Sequence, residues 1–135
     1  MDIKAELNGM RYLNVAIQEK NRELDELQDL KVAIASPVIT GMPKGKCFER
    51  SARVDVILDK IIKLEKARED DVEELVDKKL MWSEKFKSLP LEERMILEFR
   101  YFDGMTWADI AKKLNYEERT VYRIHGKALL NLKKL

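Results

Sequence analysis

The sequence predicts an all-α protein: a long N-terminal helical hairpin, coiled-coil-like in its pattern, followed by a compact three-helix domain. Three observations carry that reading. About half of the 135 residues are Ala, Glu, Lys, Leu or Arg, the composition of long helices. Apolar residues recur at helical spacing over most of the chain, and helix-breaking residues gather in a few places. Charged residues make up 38%, yet the formal net charge is only +1, a balance that argues against a disordered polyelectrolyte.

Residues 2–35 contain no proline and a single glycine, Gly9. Ile3, Leu7, Met10, Leu13, Ile17, Leu24, Leu27 and Ile34 lie three, four or seven apart, one stripe along a helix roughly 50 Å long. Lys20 and Lys31 interrupt that seam. Residues 36–50, with Pro37, Gly41, Pro43 and Gly45, read as a loop with a local excess of basic residues. Helical spacing resumes over 51–88 at Val54, Ile57, Leu58, Ile61, Leu64, Val72, Leu75, Trp82 and Phe86, with Ser51 as N-cap and Pro90 as the stop. Between Glu65 and Glu74 charge is dense and the seam is weakest. Residues 1–88 are therefore expected to form a hairpin that brings subunits together, because a lone amphipathic helix pair buries little. A dimer is the expected assembly.

Residues 89–135 are more specific. Pro90 with Glu92 and Glu93 opens a helix, acids in its first turn, that runs to the turn Asp103-Gly104. Thr106 caps a short helix, Trp107 to Leu114, with Asp109 three residues on, and Asn115 supplies the left-handed residue that ends it. A last helix runs from about Glu118 to Leu132, with Val121, Ile124, Ala128 and Leu129 on its buried face. A short helix, a tight turn and a longer basic helix form the helix-turn-helix plan, in which small Ala111 allows a close crossing. The outward face of the last helix then presents Glu118, Arg119, Tyr122 and Arg123 to the major groove, where Arg can bond guanine in bidentate fashion. Lys127, Lys133 and Lys134 follow on the same helix, and no acid stands between Arg119 and Leu135, a segment suited to phosphates.

The run Leu89-Pro90-Leu91-Glu92-Glu93-Arg94-Met95-Ile96-Leu97-Glu98-Phe99-Arg100-Tyr101 resembles the opening of sigma-factor region 4. Thr106-Trp107-Ala108-Asp109-Ile110-Ala111-Lys112-Lys113-Leu114, with Val121-Tyr122-Arg123-Ile124 and Lys127-Ala128-Leu129, resembles its helix-turn-helix. Arg11-Tyr12-Leu13, Ser36-Pro37, Thr106-Trp107 and Arg123-Ile124-His125-Gly126 resemble short phage and prophage regulators of late genes, the ArpU and RinA families. The resemblance implies base contacts at Glu118, Arg119, Tyr122 and Arg123, with Lys127 near phosphate. Glu117 stands where a capping Ser or Thr is common in sigma factors, and Glu118 replaces a frequent base; these two departures bear on whether a sigma promoter element is the target and leave the groove-binding face in place.

The functional expectation is a sequence-specific, double-stranded DNA-binding transcription regulator of phage or prophage late genes, in the cytoplasm of a bacterial host, with no membrane partner. Host RNA polymerase is a further candidate partner. Two rivals are a small terminase subunit of phage DNA packaging and a module that chiefly binds polymerase. No enzyme is expected, since no nucleophile–base pair, carboxylate metal cluster or phosphate loop stands out, and no cofactor or metal is called for. Gly41-Met42-Pro43-Lys44-Gly45-Lys46-Cys47 lacks the spacing and the final Ser or Thr of a phosphate-binding loop. His125, the one histidine, reads as a polar surface residue of the last helix, and Gly126 as a site of close packing.

Overall fold

The computed structural model describes residues 2–35 and 44–135. They form α1 (Ile3–Ala35), α2 (Lys44–Phe86), α3 (Leu91–Leu97), a π-helical turn (Glu98–Phe102), α4 (Trp107–Leu114) and α5 (Glu118–Lys133). Among the described residues there is no strand, and no helix is long and apolar enough to cross a membrane. The all-α class, with a long helix pair followed by a helix-turn-helix, is as the sequence predicts. Packing gathers the chain into two compact units: Ala16–Val72, and residues up to Val15 together with Glu73–Leu135.

In the first unit α1 and α2 run antiparallel. Leu24, Ile57 and Ile61 are buried between them, flanked by half-buried Leu27, Ile34 and Leu64. Burying one such side chain contributes about 1.5–3 kcal/mol. Lys20, a break in the apolar seam, faces Asp71 across the pair at 2.5 Å, and Arg68 donates to the Asn21 side-chain oxygen at 3.1 Å. Polar cross-pairs thus occupy the charge-rich stretch where the seam is weakest. Leu58 and Val72, placed on the apolar stripe by spacing, are instead exposed.

The expected loop 36–50 is shorter than its breaker residues suggest. Residues 44–50 are already helical, so Ser51 lies inside α2 and caps nothing, and Cys47 belongs to a helix rather than a loop. No proline follows position 43 until Pro90, and Gly45 near a helix start costs at most about 1 kcal/mol. Residues 36–43, with the first three residues of the phosphate-loop-like motif, lie outside the described residues.

The second unit holds the helix-turn-helix. Ile96, Ile110, Ala111, Val121 and Ile124 are buried together, with Phe99, Met105, Trp107 and Leu114 packed against them. Leu7, Met10, Trp82, Phe86 and Leu89 are buried as well. Phe86 stacks on Phe102 with ring centroids 5.4 Å apart, and the Asn14 side-chain amide donates to the Phe102 carbonyl at 3.1 Å. These contacts tie the ends of α1 and α2 to the turn that precedes α4.

Local signals work here as the sequence predicts. The Thr106 hydroxyl accepts from the Asp109 amide at 3.2 Å and caps α4. Asn115 adopts φ 59° and ψ 40°, the left-handed conformation that closes the helix. Glu117 precedes α5 in an extended conformation and makes no side-chain cap. The helix expected from Pro90 to the Asp103 turn is not uniform, because its last five residues form the π-helical turn.

Candidate nucleic-acid interface

Helix α5 divides into two faces. Val121, Ile124, His125, Ala128 and Leu132 are buried, with Leu129 half-buried, which adds His125 and Leu132 to the face expected from spacing. Glu118, Arg119, Tyr122, Arg123, Lys127, Lys133 and Lys134 are all exposed. At 100° per residue these seven side chains fall within one half of the helix circumference, with Gly126 and Leu130 among them. The N-terminal turns carry Glu118, Arg119, Tyr122 and Arg123; Lys133 and Lys134 stand at the far end, about three to four turns on.

The cations of this face differ from those of the long helices. Arg22 pairs with Glu19 and Glu26, Lys63 with Asp59, Lys66 with Asp70 and Lys78 with Glu74, all along one helix. Arg119, Arg123, Lys127, Lys133 and Lys134 make no ion pair among the described residues. Their charge is available to an external anion, and the one acid on the face, Glu118, sits in the first turn where the helix dipole favours it.

An aromatic and cationic support lies beneath the face. Trp107, at the start of α4, meets Tyr122 edge-on with ring centroids 5.1 Å apart, and meets His125 at 4.7 Å. The Arg100 guanidinium lies 4.3 Å over the Trp107 ring and donates to the Met105 carbonyl at 3.1 Å. The Tyr101 hydroxyl and His125 Nε2 form a buried hydrogen bond of 2.7 Å.

Two sequence expectations are corrected here. His125 is not a surface residue but 6% exposed, locked between Tyr101 and Trp107. Burial, and then the charges of Lys4 and Arg100, lower its pKa to about 4, so the ring is neutral near pH 7. Gly126 is not a site of close packing, since a Cβ there would meet nothing within 4 Å.

Sequence reasoning missed the stack of Arg100, Trp107 and Tyr122 as a unit. They stand on three different elements, the π-helical turn, α4 and α5, so only the two turns between those elements bring them together. It also missed the buried carboxylate of Glu93, which accepts from the Asn131 amide at 2.8 and 3.0 Å and joins α3 to α5.

The arrangement defines a helix-turn-helix whose second helix offers an exposed basic face, the plan of proteins that enter the major groove. Residues 86–134 match the family model of Sigma-70, region 4. No curated protein and no solved structure matches the chain. The chain therefore carries a region-4 helix-turn-helix, a DNA-binding type of domain, spanning the end of α2 through α5.

Proposed function

We propose that this chain is a sequence-specific, double-stranded DNA-binding transcription regulator of the phage or prophage late-gene type, working in the bacterial cytoplasm. It acts by binding rather than by catalysis and needs no cofactor. The observation that supports this most is the exposed, unpaired basic face of α5 within a region-4 helix-turn-helix.

Residues 89–135 serve as the DNA-binding domain and residues 1–88 as the part that joins two copies. Glu118, Arg119, Tyr122 and Arg123 meet base edges, while Lys127, Lys133 and Lys134 meet phosphates. Two copies place two α5 helices on half-sites about 10–10.5 base pairs apart or a multiple of that spacing. Each half-site contact is weak alone, and linkage makes the two act together.

Selection from a random duplex pool tests this. The expected product is a two-half-site sequence bound about 10³-fold or more tighter than a scrambled duplex at the same salt. No retention of any duplex at low ionic strength overturns the proposal. The region-4 match favours one second reading, in which the domain engages RNA polymerase and contacts DNA only in that complex. Capture of polymerase by the full chain without DNA, together with no duplex binding by the chain alone, decides for it. A closed ring of many subunits decides instead for the packaging subunit.

A further inference from the structure

The unit Ala16–Val72 holds only Leu24, Ile57 and Ile61 as buried hydrophobic residues among those described. Two helices with so small a core gain little from each other, and such pairs are ordinarily completed by further helices. One side of this pair is a groove of about 590 Å³ between α1 and α2, with Leu27, Leu30 and Leu64 in its floor. Leu30 is nearly half exposed there.

The two lips of the groove carry opposite charge. On α1 they are Glu23 and Glu26; on α2, Lys60 and Lys63. Glu23 and Lys60 make no ion pair among the described residues. Glu26 meets Arg22 and Lys63 meets Asp59 only along their own exposed helix surfaces. A partner that covers the floor must therefore bring a basic ridge over α1 and an acidic ridge over α2.

We infer that the occupant is a second copy of this same groove, related by a two-fold axis parallel to the helix pair. This rests on the dimer reading above and names its interface. Such an axis sets α1 of each copy over α2 of the other, acidic lip on basic lip. A two-fold perpendicular to the helices sets α1 on α1 and α2 on α2, like charge on like. The antiparallel register given by Lys20 and Asp71 places Leu27 level with Leu64. Across the dimer Leu27 then covers Leu64 of the other copy, and Glu26 stands about 3 Å along the axis from Lys63 of the other copy. The result is a four-helix arrangement with a closed apolar centre and two equivalent charged seams.

Charge reversal in the full-length chain, read by sedimentation equilibrium with circular dichroism as the folding check, tests the pairing. The variant Glu23→Lys/Glu26→Lys and the variant Lys60→Glu/Lys63→Glu should each self-associate about tenfold or more weakly than the unaltered chain, with helicity unchanged. An equimolar mixture of the two should recover the dimer, because both seams regain opposite charges. If the unaltered chain is a monomer at every concentration, the dimer reading and this interface fall together. If it is a dimer that neither reversal weakens, while Leu58→Glu/Ile62→Glu disrupts it, the dimer stands and this interface is wrong.

Discussion

Trp107 meets Tyr122 edge-on at 62°, so a residue at the start of α4 sets the position of a candidate base-contacting side chain on α5. The same indole carries the Arg100 guanidinium on another side and His125 beneath. Trp107→Ala should therefore lower stability by about 2–3 kcal/mol in urea denaturation, through lost packing. Tyr122→Ala should change stability by less than about 1 kcal/mol, since the ring is half exposed, and weaken only duplex binding.

Arg123 and Lys133 lie on the same exposed face but at opposite ends of α5. Arg123→Ala should cost about 1–3 kcal/mol on the selected duplex and relax the preference at one base pair. Lys133→Ala should weaken selected and scrambled duplexes alike and reduce the slope of log K against log salt by about 0.9. Fluorescence anisotropy across a salt series separates the two. Unchanged site preference after Arg123→Ala removes Arg123 from the base-reading set.

His125 makes stability depend on pH. Its folded pKa of about 4 lies below the ordinary value of 6.5, so the unfolded chain takes up the proton first as pH falls. The contribution is whole above pH 6.5 and is lost progressively between 6.5 and 4, about 3 kcal/mol at most. Chemical denaturation of the unaltered chain and of His125→Gln at several pH values should show this loss only where the imidazole is present. Parallel curves for the two chains contradict the assignment.

Asn115 ends α4 in the left-handed region, with its amide donating to the Lys112 carbonyl at 3.3 Å and the Tyr116 amide to that of Ala111 at 2.9 Å. Asn115→Ala should cost about 1–2 kcal/mol, because a Cβ without a compensating polar group is strained at that φ. Asn115→Gly should stay within about 0.5 kcal/mol of the unaltered chain. Thermal denaturation checks both.

The helix-turn-helix was legible because its punctuation is local. Thr106, Asn115 and the apolar positions between them fix α4 within a span of ten residues, and the bounds expected from sequence are the bounds observed. The start of α2 was not legible. Gly45 and the nearby prolines signal a break, but neighbours along the chain cannot tell how soon a helix resumes. His125 was misread for a related reason, since Tyr101 and Trp107, which enclose it, stand 24 and 18 residues away. Lys20 looked like a defect until its partner, 51 residues on, was in view. The exposed basic side of α5 was legible, because helical spacing alone separates it from the buried side.

The π-helical turn also bears on how this chain tolerates change in length. A wide turn of this kind amounts to one extra residue slipped into an ordinary helix. It lets Tyr101 reach His125 while Phe102, its immediate neighbour, stacks on Phe86 and offers its carbonyl to Asn14. Removing any one residue between Glu98 and Phe102 would take out that extra residue and restore regular winding. Tyr101 and Phe102 could not then both keep their partners, so a single-codon deletion here should be far more damaging than most substitutions at the same positions.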